Sequence, residues 1–98
     1  MISPEQRKAI ILRYLQTQPC EFNGIQLYGK VQVVDAFADI KIQYVDAFPD
    51  IKVKFVDSFP DECGEWQEVD AFPDFTIQVV DSFPDIKVQK VTAFPGMN

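Results

Sequence analysis

The chain has no histidine. That absence removes the commonest general base and metal ligand together. No Ser-His-Asp or Cys-His arrangement can be assembled, and two cysteines without histidine do not make a zinc site. Glycine is scarce, with four in 98 residues, and no Gly-rich loop that would cradle a phosphate is present. Arginine occurs only at Arg7 and Arg13, and no basic patch interleaves with aromatics, so a nucleic-acid partner is not expected. No apolar run approaches the length of a membrane span, so neither is a membrane. The run Ala9-Ile10-Ile11-Leu12 is short and meets Arg13 at once, unlike a signal peptide. A cytoplasmic setting is therefore expected. In that compartment Cys20 and Cys63 are expected as free thiols, and their spacing does not reveal a bridge.

Carboxylates and phenylalanine are what the chain has in quantity. Residues 25–98 carry six Lys against thirteen Asp and Glu, whereas residues 1–24 are slightly basic. Nine Phe rule out a disordered acidic tail, which lacks aromatics. Two parts follow: an N-terminal helix and linker over 1–24, and a repeat β domain over 25–98. Ser3 is a suitable N-cap, Pro4 suits the first helical position, and Gln6 completes a capping box. Ile10, Ile11, Tyr14 and Leu15 make one apolar face, and Pro19 ends the segment. Such a helix is expected to pack on the β body or cover an open edge of it.

The repeat dominates everything after residue 33. VDAFADIKIQY begins at Val34, VDAFPDIKVKF at Val45 and the longer VDSFPDECGEWQE at Val56. VDAFPDFTIQV begins at Val69, VDSFPDIKVQK at Val80 and a truncated VTAFPG at Val91. Gly29-Lys30-Val31-Gln32-Val33 is a worn half-unit before the first. Phe-Pro-Asp is a turn signal, and the five residues after it alternate apolar and polar as a half-buried strand does. Alternation breaks at Tyr44-Val45, Phe55-Val56 and Val79-Val80, which marks a bulge or corner. Six strands are predicted near 30–37, 40–48, 51–59, 65–72, 75–83 and 86–94, with turns at 38–39, 49–50, 60–64, 73–74 and 84–85. The third position of each unit is always small: Ala36, Ala47, Ser58, Ala71, Ser82 and Ala93. This suggests either that another backbone passes close by in every unit, as repeated strand crossings would require, or that a neighbouring Phe ring fills the space.

These VD[AS]FPDIKVQ units, their number, and the longer middle unit with Gly64-Glu65-Trp66 resemble the 7(1) septoil-knot domain family, a group of small bacterial proteins. The resemblance covers about residues 25–98 and leaves out the N-terminal helix. Departures are Ala38 for Pro, Thr92 and Gly96 for Asp, and Thr76 for Lys. The resemblance implies a six-strand, ring-like, all-β repeat domain with its backbone tied in a seven-crossing torus knot, and it transfers no catalytic residue. Periodicity alone would suggest a β-solenoid or small closed barrel.

Two Asp rows are the remaining candidates for chemistry. Asp35, Asp46, Asp57, Asp70 and Asp81 lie between apolar residues, where burial would demand partners such as backbone N–H groups or Lys41, Lys52 and Lys87. Asp39, Asp50, Asp61, Asp74 and Asp85 follow the proline position and suit turns. A structural role is expected for both. Trp66 is expected to be core rather than a ligand platform. The symmetry-breaking insert at 61–68, with Cys63, Gly64 and Trp66, is the loop where a binding site would be sought first. The leading reading is a non-enzymatic structural or protein-interaction domain, with a homo-oligomer or protein partner, no cofactor and no assigned site residues. One alternative is a divalent-cation binder using the Asp rows. Another is a small hydrolase with a carboxylate pair near Trp66, drawn from Asp61, Glu65 and Glu68.

Overall fold

Alternation of apolar and polar residues after each Phe-Pro-Asp turns one side of every strand inward. A computed structural model describes residues 20–97 and shows the outcome. The N-terminal helix lies outside the described residues. A two-residue hairpin comes first, β1 (Glu21–Phe22) and β2 (Ile25–Gln26). Six repeat strands follow: β3 (Gly29–Val33), β4 (Ile40–Tyr44), β5 (Ile51–Phe55), β6 (Glu65–Glu68), β7 (Phe75–Val79) and β8 (Ile86–Lys90). A last short strand, β9 (Gly96–Met97), pairs antiparallel with β5. The fold is all-β, as expected. Each repeat strand ends before the Val-Asp-Ala/Ser-Phe segment that the sequence pattern had included in it. The corner lies in that segment, because all six motif Phe residues have φ of 53–57°, which no strand tolerates.

β3 to β8 close into a ring in the order β6-β3-β7-β4-β8-β5, with β5 returning to β6, and every pairing within the ring is parallel. Parallel neighbours ordinarily need a long crossover to bring the chain back to its starting level. Here six residues suffice, because the strands are staggered. Ile77 of β7 pairs with both Val33 at the end of β3 and Ile40 at the start of β4, so β4 begins at the level where β3 stopped. Val88, Val31 and Ile42 serve three other connections in the same way. The connector need only cross one intervening strand, a lateral step of about 10 Å between next-nearest strands, and six residues reach about 20 Å.

Residue-level bonds fix each crossing. Connector 34–39 passes over β7, where Val34 N–H donates to Ile77 O at 2.9 Å and the Gln78 carboxamide donates to Asp35 O at 2.9 Å. Asp39 closes the crossing. Its carboxylate accepts from Thr76 N–H at 2.9 Å, and its own N–H donates to Thr76 Oγ1 at 2.9 Å. The same clamp joins Asp50 to Lys87, Asp74 to Lys30 and Asp85 to Lys41, with the Lys backbone serving as both donor and acceptor. Val45, Val56, Val69, Val80 and Val91 each donate N–H to the third residue of a strand, or in β6 to Trp66, so each of the six strands is crossed once. The core fills the inside of the ring and the connectors are largely exposed, so the crossings run over the outside.

The 13-residue unit now has a reason. Stepping two places around a six-place ring visits only three places before returning to the start. One odd step is needed to reach the other three. β5 to β6 is that step, since these two strands are consecutive in the chain and also adjacent in the ring, and the longer unit makes it. The interior holds Val31, Ile40, Ile42, Ile51, Val53, Trp66, Phe75, Ile77, Ile86 and Val88, with Leu27 above them from the hairpin.

Candidate functional site

The small third residues, Ala36 to Ala93, are all exposed, and so are the motif Phe rings. The crossings anticipated from small residues exist, but neither a passing backbone nor a ring covers these positions. Nothing in the structure explains their size. The first Asp row, Asp35 to Asp81, is exposed rather than buried, because it lies on the outer side of the connectors. Its backbone carbonyls, not its carboxylates, are used: Gln32, Gln43, Gln67, Gln78 and Gln89 donate to Asp70, Asp81, Asp57, Asp35 and Asp46. Backbone N–H partners were anticipated for that row, yet four members of the second row have them. Lys41 and Lys87 take part through their main chain.

Neither Asp row gathers its carboxylates. Among the described residues no three His, Cys, Asp or Glu side chains converge as metal ligands would. Asp61 lines a cleft at the hairpin end, beside Tyr28 and Asp74, whereas Glu68 lines one at the opposite end. Glu65 Oε1 accepts from Glu62 N–H at 3.1 Å within its own turn. The carboxylates proposed for a hydrolase near Trp66 thus face different surroundings.

Several residues of the insert at 61–68 have architectural roles. Cys63 is bonded to Cys20, with Cα atoms 5.8 Å apart. This corrects the expectation of free thiols: the hairpin folds back over the ring and brings two residues 43 apart in sequence together. Trp66 is fully buried. Its indole N–H donates to Leu27 O at 3.0 Å, and its ring meets Phe75 and Phe55 edge-on at 5.5 and 6.1 Å. Gly64 has φ +82°, and a Cβ there would press on Lys52 O, Gly96 N and Pro95. No side chain fits at that place, where β5, β6 and β9 approach one another.

Two further surfaces stand out besides the hairpin-end cleft. One is the set of connector corners. Phe37, Phe48, Phe59, Phe72, Phe83 and Phe94 all stand out into solvent, the least exposed being Phe59 at 80%. The other is the end of the ring where the strands finish. There Lys90 Nζ lies 4.4 Å from the Tyr44 ring centroid and 5.6 Å from that of Phe55. Burial, and secondarily the charge of Glu68, holds the Tyr44 phenol above its ordinary pKa. The sequence reading singled out neither surface. The signal for the first was available: Phe recurs in every unit at a point where strand alternation has already stopped.

A family model described as the 7(1) septoil knot domain matches residues 24–98. The chain belongs to that family. No curated protein matches the sequence. The septoil-knot domain therefore includes the hairpin residues from Gly24 onward, the closed ring and all six corners. Among its described residues no helix is long and apolar enough to cross a membrane.

Proposed function

We propose that this septoil-knot domain is a non-enzymatic protein-interaction module whose corners are its contact points. The observation that carries this is the conformation of the six exposed Phe residues. A bulky side chain with φ near +55° costs about 1 kcal/mol relative to glycine, and an exposed ring buries no apolar surface in return. Asn tolerates this conformation better. Folding alone gives no reason for Phe six times over, whereas aromatic side chains are the usual anchors of protein interfaces.

Each connector crosses a different strand near its middle, so the six rings form a girdle around the waist of the barrel. Opposite members face away from each other, which favours several partner molecules, or one that surrounds the barrel, over a single flat surface. Five of the rings lie between two Asp residues in the pattern Asp-x-Phe-x-Asp, as in Asp46-Ala47-Phe48-Pro49-Asp50. A fitting partner has apolar pockets rimmed by Lys or Arg. The chain's net charge of −6 disfavours a second copy of itself.

The test replaces all six Phe by Asn. The folded state is expected to keep or raise its urea midpoint, while retention on a phenyl matrix and co-purification of the partner are lost. A fall in stability of several kcal/mol would make the rings structural and sink the proposal.

We also propose that the outside crossings leave the backbone knotted, as the family description says. β3 pairs with β6 and β7, far along the chain, and threading adds to a topology that is already non-local. Refolding from a long-denatured chain is expected to take seconds or longer. Complete recovery within milliseconds would count against a knot.

A further inference from the structure

Parallel strands deliver their last residues to one end of a barrel, and binding sites of parallel sheets gather at that end. At that end here is a cleft of about 480 Å³ whose lining includes Val33, Tyr44, Phe55, Glu68 and Lys90. Four of these five are the fifth residue of their strand, two places beyond a fully buried core residue. In β3, β4, β5 and β7 the fifth position is Val33, Tyr44, Phe55 and Val79. β8 puts Lys90 there instead. Its ammonium rests over the Tyr44 and Phe55 rings, both centroids being within the ~6 Å reach of a cation–π contact.

Two aromatic faces holding a cation, with Glu68 and Asp57 on the same cleft, define the chemistry that the mouth favours. Anions are disfavoured by those carboxylates and by the charge of the whole chain. Small inorganic cations are poor occupants, because they give up tightly held water and gain little contact with a ring. An alkylated ammonium is weakly hydrated and offers methyl groups to both faces.

We propose that the barrel mouth is a binding site for an organic ammonium cation, whose charged group takes the place on Tyr44 and Phe55 that Lys90 holds. Lys90 is well suited to yield. It is exposed, its stem is flexible, and leaving the rings restores rotamer freedom. The residue thus acts as a built-in competitor, lowering affinity for the external cation by the strength of its own contact. The site is separate from the Phe girdle and does not depend on it.

The test is a titration of the full chain with tetramethylammonium chloride, against sodium chloride at matched ionic strength, followed by NMR of the aromatic and Lys side chains. Saturable shifts of the Tyr44 and Phe55 rings and of the Lys90 ε-protons are expected with tetramethylammonium only. Lys90→Met keeps the stem and removes the competitor, so it is expected to bind about two- to fivefold more tightly. Tyr44→Leu is expected to abolish the saturable shift at Phe55 while an unchanged spectrum of the other core residues shows that the barrel is intact. Equal responses to the two salts would overturn the proposal. So would affinity unchanged or weakened in Lys90→Met, or a saturable shift at Phe55 that survives in folded Tyr44→Leu.

Discussion

Replacing Trp66 by alanine is expected to lower the stability of the domain by about 3–5 kcal/mol, the usual cost of truncating a buried aromatic. A small domain has roughly 5–15 kcal/mol in hand, so the variant sits near the edge of folding. The size of the effect follows from where the indole lies. It is fully buried, it touches Phe55 on the adjacent β5 and Phe75 on β7, one strand beyond β3, and it donates to Leu27 O. Leu27 O also accepts from Gly64 N–H at 3.0 Å, so one carbonyl ties hairpin and ring together through two bonds. Trp66 is the only buried side chain of β6, and the inward position just before the strand is Gly64. Its register partner on β3 is Gly29, also without a side chain. Truncation therefore leaves a hole that neither Gly29 nor Gly64 has a side chain to fill. Trp66→Phe keeps a ring against Phe55 and Phe75 and loses the indole hydrogen bond, so an intermediate loss of about 1–3 kcal/mol is expected. Urea unfolding followed by circular dichroism compares the three proteins. An alanine variant as stable as the parent would show that the residue is not core and would reopen the ligand-platform reading of the insert.

Most of the ring was legible in the sequence because strand alternation is a local signal. Ile-Lys-Val-Gln and its variants turn Ile and Val inward without help from elsewhere, so the existence of six strands followed from periodicity. Their ends did not. Val-Asp-Ala-Phe continues an apolar pattern, and Phe favours strands, so nothing local announces that Phe37 and its five equivalents adopt a left-handed conformation. The hairpin does carry a local signal: Asn23-Gly24, with φ of 49° and 82°, is the dipeptide preferred where both turn residues need positive φ. The first Asp row is exposed for a different reason. Apolar neighbours in sequence imply burial only within a regular element, and Asp35 and its equivalents lie on connectors that ride outside the sheet. The mouth was illegible because the contact of Lys90 with Tyr44 and Phe55 depends on parallel register between strands distant in sequence. No spacing rule shows that β8 lies between β4 and β5.

Reducing the Cys20–Cys63 bond is expected to lower stability by about 2–5 kcal/mol, with a chain-entropy value near 4 kcal/mol for a loop of this length. For a domain of this size that corresponds to a melting point lower by on the order of 20 °C, measured by a thermal melt with and without reductant. The loss should reach the whole barrel and not the hairpin alone. Leu27 covers the buried end of the core, and Leu27 N–H donates to Cys20 O at 2.9 Å, so the hairpin that the disulfide anchors is also the lid over Trp66. Cys20→Ser combined with Cys63→Ser should reproduce the reduced protein, which separates loss of the bond from side effects of the reductant. A melting point that moves by only a degree or two in both experiments would mean that packing through Leu27 holds the hairpin without the covalent link. The size of the shift also bears on where such a domain can work. Disulfides persist in oxidising compartments and are rare in a reducing cytoplasm. A domain that draws a large part of its stability from one bond is suited to the first setting, so a large shift would weigh against a cytoplasmic setting.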